Sequence, residues 1–318
     1  MEKFAAKPDK RVKKAGGSSL KRNDVIFILC MIAVPMLHFI VFTLYINVDS
    51  LLMAFQNVDY TAATDRLVFV GFDNFRRFFT EWGENDLWSR AVINSLLYFP
   101  VTVLVMLPLS VFAGYFLYRK IPLGGFYKVV FFIPNIVSVV VLAIVFRNMF
   151  DSSIGPINLF LEKVCHMTRD QIPYWLTDEK YAMNILYLYA IWAGIGYNVV
   201  LIFGAITRVP VEVIESARLD GVGMGREIFQ IIVPIIWPTI STMIVFGMTT
   251  VFTQYIHPMV LTAGSGKTYT IAYMIITKVN HGQLYYSAAL GIMLLIVAVP
   301  AVQLTKWVCS KICDTVET

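Results

Sequence analysis

Residues 182–205 read AMNILYLYAIWAGIGYNVVLIFGA, a run that contains no Asp, Glu, Lys or Arg. A helix that crosses a lipid bilayer needs about 20 consecutive, mostly apolar residues, so this run predicts one membrane span. Across the chain, 58% of the residues are hydrophobic and 15% are charged. An ordinary soluble domain is about 25% charged, and the deficit here indicates that lipid surrounds much of the chain. The predicted fold class is therefore an all-α integral membrane protein.

Six runs of this kind divide the chain into a tail, a membrane domain and a second tail. The predicted domain covers residues 25–308, after a basic tail at 1–24 and before a short tail at 309–318. The first run is longer than the apolar region of a cleaved signal peptide, so we expect it to be retained. Prolines within the runs are expected to kink the helices. The six predicted spans are residues 25–46, 91–118, 129–146, 182–205, 231–256 and 284–308.

The basic residues predict which ends of the spans face the cytoplasm, because Lys and Arg concentrate in cytoplasmic segments. They cluster in the first tail, in the links after spans two and four, and around the end of span six. The opposite segments are longer and rich in Phe, Trp and Tyr, which favour the membrane–water boundary. We expect a multi-pass protein of the cell membrane with both termini cytoplasmic. The basic residues on that side are Lys3, Lys7, Lys10, Arg11, Lys13, Lys14, Lys21, Arg22, Arg119, Lys120, Lys128, Arg208, Arg218, Arg226, Lys306 and Lys311.

The polar groups inside the predicted spans are almost all neutral. Lys306 is the one Asp, Glu, Lys or Arg within the six runs, and it belongs with the C-terminal flank. Ion-coupled carriers usually place such a group at mid-membrane, so this pattern points to an energy source outside the spans. The neutral groups together suit a polyhydroxyl ligand, although any single one more often bonds a neighbouring helix. They are Asn94, Asn135, Ser138, Asn198, Thr249, Thr250, Thr253 and Gln254.

The link between spans four and five, residues 208–230, reads RVPVEVIESARLDGVGMGREIFQ. Pro210 suits the first turn of a helix and Gly221 suits the end of one. The helix between them is too polar to span a membrane and too short to be stable alone. It is either an ordinary loop lying on the membrane or a projecting helix that docks into a groove of a soluble partner.

The same link carries a spaced motif. Glu215, Ser216 and Ala217 are followed by Gly221, and then by Ile231, Val233 and Pro234. This pattern resembles the signature loop of permease subunits of binding-protein-dependent ABC importers, which is Glu-Ala-Ala, three residues, Gly, nine residues, Ile, one residue and Leu-Pro. Ser216 and Val233 are conservative departures from it. Residues 69–75 (FVGFDNF) and 260–264 (VLTAG) resemble outer-loop elements of the carbohydrate branch, the maltose and glycerol-phosphate class, first-permease type. The second of these departs from a usual Gly-Gly-Pro.

This resemblance implies roles for two groups of residues. In such importers the loop helix is a coupling helix seated in a cleft of the cytoplasmic ATPase. The ATPase-coupling residues implied here are Glu215, Ser216, Ala217, Asp220 and Gly221. The spans on either side of the loop carry ligand contacts in the family, although helix packing is an equal alternative for these positions. The substrate-path residues implied here are Gly194, Tyr197, Thr250 and Gln254.

The resemblance also implies partners. They are a homologous second permease, two ATPase subunits that hold ATP and Mg, and an extracytoplasmic solute-binding protein. The chain itself is then no enzyme and carries no cofactor. It forms half of a translocation path for a sugar or oligosaccharide. The cysteines and histidines show no metal-ligand spacing, and the basic residues sit in the flanks of lipid-embedded spans, which argues against nucleic-acid binding.

Two alternatives differ in what they require of the chain. A six-span secondary carrier would work without an ATPase and would usually show an internal repeat, and the sequence has none. A membrane-embedded enzyme acting on a lipid-linked sugar would need an acid or His cluster at the membrane face, which the sequence also lacks. Residues 264–268 (GSGKT) imitate a phosphate-binding loop, but the motif requires Gly where Leu261 stands. We expect that segment to be a flexible outer loop.

Overall fold

The structure is a computed structural model that describes residues 22–59, 66–84 and 86–312. Its contacts separate the chain into two units, Met1–Leu52 and Met53–Thr318. Within the described ranges, four helices are long and apolar enough to cross a membrane, and the number reaches six if each of two bent helix pairs is one span. Almost all the secondary structure is helical, so the protein has an all-α membrane fold.

The described part of the chain begins with one long apolar helix. It comprises α1, a π-helical segment and α2, which are Arg22–His38, Phe39–Tyr45 and Ile46–Met53. The predicted span at 25–46 lies inside this helix, which continues further at its C-terminal end. The predicted basic tail, up to residue 21, lies outside the described residues.

A short hairpin and an amphipathic helix follow. They are β1, β2 and α3, with bounds Gln56–Asp59, Arg66–Phe69 and Asp73–Glu84. The strands are antiparallel, with Gln56 opposite Phe69. Asn74 of α3 is buried, and its amide donates hydrogen bonds to the carbonyls of Ala54 and Gln56 at 3.0 and 2.9 Å. This amide ties the helix to the hairpin, which the all-α prediction did not include.

The predicted span at 91–118 lies within a longer helical stretch. Its parts are α4, a π-helical segment and α5, with bounds Asp86–Pro100, Val101–Met106 and Leu107–Tyr118. The π-turns lie between Pro100 and Pro108. Each proline lacks the N–H that a regular α-turn needs, and a wider turn accommodates the interruption.

The predicted spans at 129–146 and 231–256 are not single straight helices, because the structure has a bent helix pair at each place. The first break separates α6 (Gly124–Ile136) from α7 (Val139–Met149) at 102°. The second separates Met224–Ile235 from α13 (Trp237–Thr253) at 79°. Prolines adjoin both breaks and remove hydrogen-bond donors from the turns concerned. Met224–Ile235 consists of α11 (Met224–Arg226), a π-helical segment (Glu227–Ile232) and α12 (Val233–Ile235).

The two remaining predicted spans are single helices. The run at 182–205 is α9, Ala182–Ile206, and the run at 284–308 is α16, Leu284–Ile312. α16 therefore takes up part of the predicted tail at 309–318, whose last six positions lie outside the described residues. The shorter helices are α8 (Pro156–Lys163), a 3₁₀ turn (Arg169–Gln171), α10 (Val211–Leu219), α14 (Ile256–Leu261), a 3₁₀ turn (Ser265–Lys267) and α15 (Ile271–Asn280).

Helix α9 lies at the centre of the packing of the second unit. The C-terminal end of α9, which is predicted to face the cytoplasm, packs with α5, α10 and the segment before α13 in one apolar cluster. Its other end packs with α7 and α14 in a second cluster that includes Phe146 and Tyr189. A third cluster joins α4, α15 and α16 around Trp88 and Tyr286.

Two glycines allow neighbouring helices to approach closely along α9. At Gly196, a Cβ atom would overlap the carbonyl oxygen of Phe131 in α6. At Gly114 of α5, a Cβ atom would lie 2.8 Å from Cγ2 of Ile202 in α9. Small residues at such crossings let helices associate in lipid, where no hydrophobic driving force favours contact between them.

Glu81 joins α3 to α15 and α16 through charged and polar contacts. Its carboxylate accepts hydrogen bonds from Lys278 at 2.9 Å and from the Tyr286 hydroxyl at 3.0 Å, and it pairs with Arg77 at 2.9 Å. Partial burial alone would raise the pKa of Glu81, but these donors together hold it below its usual value. The amphipathic helix is thereby fixed to the last helix of the chain.

The segment that imitates a phosphate-binding loop is held by its neighbours. Lys267 forms an ion pair with Glu179 at 3.0 Å, and Glu179 also pairs with Arg90 at 3.0 Å. The amide of Asn94 donates to the backbone carbonyls of Lys267 and Tyr269, both at 2.9 Å. The expectation of a flexible loop is therefore not matched by these contacts, which tie the segment to α4 and to the start of α9.

The contrast between two glycines of α9 predicts a difference in stability. Gly196→Ala is expected to destabilise the protein by about 1–3 kcal/mol, because the α6 backbone must move away from the added methyl group. Gly204→Ala is the matched control, since a Cβ atom there meets nothing within 4 Å. It is expected to be neutral or to stabilise by up to about 1 kcal/mol. Thermal unfolding of the purified variants in detergent measures both. A melting temperature of the Gly196 variant at or above that of the parent would contradict the close crossing.

Candidate functional site

A cavity of about 330 Å³ lies between α9 and α13 and is also lined by residues of α4, its π-helical extension, α6 and α14. Its wall combines apolar side chains with amides, hydroxyls and one imidazole. Among the described residues that line it, none is Asp, Glu, Lys or Arg. The polar lining residues are Tyr98, Thr102, Asn135, Tyr197, Asn198, Thr250, Gln254 and His257.

All four substrate-path residues implied by the sequence line this one cavity. Tyr197 leaves 48% of its surface exposed. The Thr250 hydroxyl donates to the carbonyl of Phe246 at 3.0 Å, so its oxygen retains capacity to accept a hydrogen bond. A Cβ atom at Gly194 would lie 2.9 Å from Sδ of Met106, so this glycine makes room for a flexible side chain.

The end of α13 presents Gln254 to the cavity. The helix stops at Thr253, and Gln254 has an extended backbone before α14 begins at Ile256. The Gln254 carbonyl accepts a hydrogen bond from the Thr270 hydroxyl, which also caps α15. The Gln254 amide nitrogen lies 3.3 Å from Nε2 of His257. The interruption between α13 and α14 is thus tied to the N-terminal cap of α15, and Gln254 and His257 lie in the cavity wall.

Two groups in the cavity wall were not singled out from the sequence. The hydroxyl of Tyr98 and Nδ1 of His257 are buried and have no hydrogen-bond partner among the described residues. A buried polar group without a partner carries a free-energy cost, which a bound polar ligand relieves. Nε2 of His257, in contrast, has the Gln254 amide as its partner. Neither residue lies at a spacing that marks a site, so the sequence carried no signal for them.

The link after α9 folds into helix α10 with a well-formed C-terminal cap. Gly221 has φ of +74°, and its N–H bonds to the carbonyl of Arg218 at 3.1 Å. The N–H of Val222 bonds to the carbonyl of Ala217 at 3.1 Å. These two bonds and the left-handed glycine form a Schellman motif, which satisfies carbonyls at the end of the helix.

The five coupling residues implied by the sequence are divided between two sides of this segment. Glu215, Ser216, Asp220 and Gly221 are exposed, whereas Ala217 is buried. Ala217 and Ile214 form the inner face of α10. The side chain of Ala217 faces the protein, and its implied role in coupling stays a prediction. The other four are available for contact with a partner.

Glu227 is held beside α10 by two arginines. Arg218 donates to both carboxylate oxygens, at 2.8 and 3.2 Å, and Arg119 donates to one of them at 3.4 Å. The hydrogen bond to Glu227 raises the pKa of Arg218 above its ordinary value. Among the described residues, no group of three or more His, Cys, Asp or Glu side chains is placed to hold a metal ion.

Residues 106–312 match the model of a protein family described as the binding-protein-dependent transport system inner membrane component. This match covers more than half of the chain and includes the cavity helices α9 and α13 and the segment with α10. The chain belongs to this family. The prediction of an ABC importer permease is thereby confirmed, and the alternatives of a secondary carrier and a membrane enzyme are set aside. The protein is a multi-pass membrane component that works with other subunits.

Relatives of this family member include permeases named for carbohydrates. The diacetylchitobiose uptake system permease protein NgcF of Streptomyces coelicolor is 25% identical over 289 residues, which are 86% of this chain and 79% of the relative. The arabinooligosaccharides transport system permease protein AraP of Bacillus subtilis is 26% identical over 267 residues, 82% of this chain and 81% of the relative.

The fold is also similar to a solved structure. A bacterial ABC transporter involved in the import of the acidic polysaccharide alginate matches with a TM-score of 0.78 at 20% identity. The match covers 91% of this chain and 97% of that chain. At this identity the likeness establishes the fold alone.

The cap of α10 predicts a specific effect of replacing its glycine. Gly221→Ala is expected to destabilise the end of α10 by about 1–2 kcal/mol, because a side chain in the left-handed conformation is strained. Gly225→Ala is the control, since its φ is not positive and a Cβ atom there meets nothing within 4 Å. Hydrogen–deuterium exchange of residues 211–222 in the purified protein measures the change. Equal exchange in the two variants would show that the cap does not depend on the glycine.

Proposed function

We propose that the chain is the permease subunit that forms half of the translocation path of an ATP-driven importer for a neutral sugar or oligosaccharide. One observation carries the proposal: the two helices that build the uncharged polar cavity, α9 and α13, are also the helices that flank the exposed helix α10. The ligand site and the partner surface are thus linked through the C-terminal end of α9 and through the bent segment Met224–Ile235 that leads into α13. A change at either one acts on the other if these helices have two arrangements.

The lining of the cavity supports a neutral, hydroxylated ligand. Its described lining residues provide amides, hydroxyls and an imidazole but no ionised group to balance a ligand charge. The unpartnered hydroxyl of Tyr98 and Nδ1 of His257 offer a donor or acceptor to ligand hydroxyls. The names of the relatives, which refer to diacetylchitobiose and arabinooligosaccharides, agree with this class of ligand. In this proposal Gly194, Tyr197, Thr250 and Gln254 contact the solute.

The proposed topology has six spans, with each bent helix pair counted as one. Both termini and the 208–230 loop are then cytoplasmic, in agreement with the distribution of Lys and Arg. The proposed partners are a homologous second permease, two ATPase subunits that hold ATP and Mg, and a solute-binding protein on the other side. This chain itself is proposed to hold no cofactor and no metal.

Helix α10 is the proposed contact with the ATPase. Its exposed face combines Glu215, Ser216 and Asp220 with apolar side chains at Val211, Val213 and Leu219. Leu219 is 89% exposed and, together with Val211 and Val213, adds apolar surface to the exposed side of α10. A groove in the partner would accept this face as a helix-in-groove contact.

Purification of the tagged chain from its native membrane in mild detergent tests the assembly. We expect a second permease and a soluble ATPase to accompany the chain, as measured by mass spectrometry. Glu215→Lys is expected to lower the recovered ATPase about tenfold or more, since charge reversal in a contact costs over 1.4 kcal/mol. Gly221→Asp should act similarly by disturbing the cap. Glu84→Lys, an equally exposed reversal on α3, is the control and should leave recovery unchanged.

Two results of the same purification would contradict the proposal. If the unsubstituted chain is recovered alone, stable and monodisperse, it is not part of an ATP-driven assembly. If Glu215→Lys retains the ATPase as fully as the control, α10 is not the contact.

The cavity generates a separate prediction about solute transport. Once the co-purified binding protein has been screened for its sugar, Tyr197→Phe is expected to lower the apparent affinity for uptake about fivefold. The loss of one hydrogen bond of about 1 kcal/mol gives this factor. Tyr174→Phe, on the exposed segment before α9, is the control. Equal uptake by both variants would show that the Tyr197 hydroxyl does not contact the solute.

A further inference from the structure

Glu227 is the one buried Asp, Glu, Lys or Arg in the part of the chain that the structure describes, with 1% of its surface exposed. It lies against an apolar cluster that contains Ile214 and Ile228. An isolated carboxylate in such a place would be strongly destabilised, and a buried charge persists only when it is paired and hydrogen-bonded. The stability of the region around Glu227 therefore depends on its charged partners remaining in position.

The partners of Glu227 come from two other segments. Arg218 lies in the last turn of α10 and binds both carboxylate oxygens, while Arg119 directly follows α5. Arg119 also donates to the hydroxyl of Tyr115 at 3.1 Å. Glu227 itself begins the π-helical segment that leads through the bend into α13. One carboxylate therefore connects α10, the end of α5 and the start of the fifth predicted span.

The geometry of these contacts restricts movement of α10 relative to the π-helical segment. The guanidinium of Arg218 holds the carboxylate with two parallel hydrogen bonds, which fix orientation as well as distance. If α10 moved alone, the carboxylate would lose its bidentate partner while still buried, which leaves its charge uncompensated and out of water. Displacement of α10 together with the π-helical segment keeps Arg218 paired with Glu227 and avoids that cost.

We infer that Glu227 is the positioning residue that makes α10 and the bent helix before α13 move as one body. The inference rests on the proposed function, in which α10 contacts the ATPase and α13 lines the solute path. Glu227 touches neither partner nor solute in this scheme. It acts through Arg218 and Arg119, so its loss should separate ATP hydrolysis from rearrangement of the cavity without removing the ATPase.

The experiment uses the assembly purified through the tagged chain and reads the cavity with a thiol. Thr250→Cys is the reporter, in a chain whose native cysteines 30, 165, 309 and 313 are replaced by alanine. The rate of its reaction with a charged methanethiosulfonate reagent is measured without nucleotide and with ATP, Mg and orthovanadate. ATP hydrolysis and ATPase recovery are measured on the same samples. In the unsubstituted background we expect the two rates to differ at least about fivefold, the lower end of allosteric coupling.

With Glu227→Gln, we expect the ratio of the two rates to fall below about twofold while ATPase recovery and hydrolysis persist. The reason is that α10 can then move without the segment before α13. Arg218→Gln should have the same effect, and the double variant should be no worse than either single variant, as expected for one shared interaction. Glu227→Asp restores the charge with a shorter reach and should recover part of the ratio. Asp73→Asn is the control, since Asp73 lies 4.0 Å from Arg76 in an exposed pair, and it should keep the full ratio.

Three results would overturn the inference. The first is a full ratio in the Glu227→Gln assembly. The second is loss of the ATPase from that assembly, which would make Glu227 a docking or folding residue. The third is independent, additive losses from Glu227→Gln and Arg218→Gln. Failure of the proposed function is distinguishable, because the unsubstituted chain would then bring down no ATPase at all.

Discussion

Helices in lipid gain nothing from the hydrophobic effect when they meet, so the distance at which their backbones touch decides how they assemble. In this protein two close crossings of this kind involve α9. Gly196 admits the carbonyl of Phe131, and Gly114 admits the side chain of Ile202. These crossings place α5 and α6 against one central helix. The cavity, the broken helices beside it and the exposed α10 are all arranged around that centre.

Charge in the second unit is distributed in a way that matches this arrangement. The wall of the cavity is neutral, whereas the ion pairs of Glu81, Glu179 and Glu227 lie where helices end. Each of these carboxylates receives donors from two other segments of the chain. Paired charges at helix ends fix helices to one another without placing an ionised group in the cavity, where it would select against a neutral ligand. The polar cavity and the rigid ends thus serve different tasks.

Much of this structure followed from composition and spacing, and the exceptions have identifiable causes. The uninterrupted apolar run of α9 fixed its bounds to within one residue, and Gly221 marked the end of α10 because no other residue adopts its conformation without strain. The bends after Pro134 and Pro234 were missed, since apolar runs do not reveal whether a proline kinks a helix or breaks it. The hairpin at 56–69 depends on the distant Asn74 amide. The unpartnered polar atoms of Tyr98 and His257 could be identified only from the packed structure. Ala217 lies on the buried side of α10 together with Ile214.

The crossing at Gly196 also limits how this protein can change its selectivity. The backbones of α6 and α9 are already in contact there, so these two helices cannot approach each other more closely, and a larger side chain at the crossing would only push them apart. The opposite wall, built from α13 and the unwound residues around Gln254, meets its neighbour at Gly247 through the side chain of Thr102 rather than through backbone. Variants that accept larger or smaller solutes are therefore expected to differ on α13 and α14, while the glycine crossing stays constant among them.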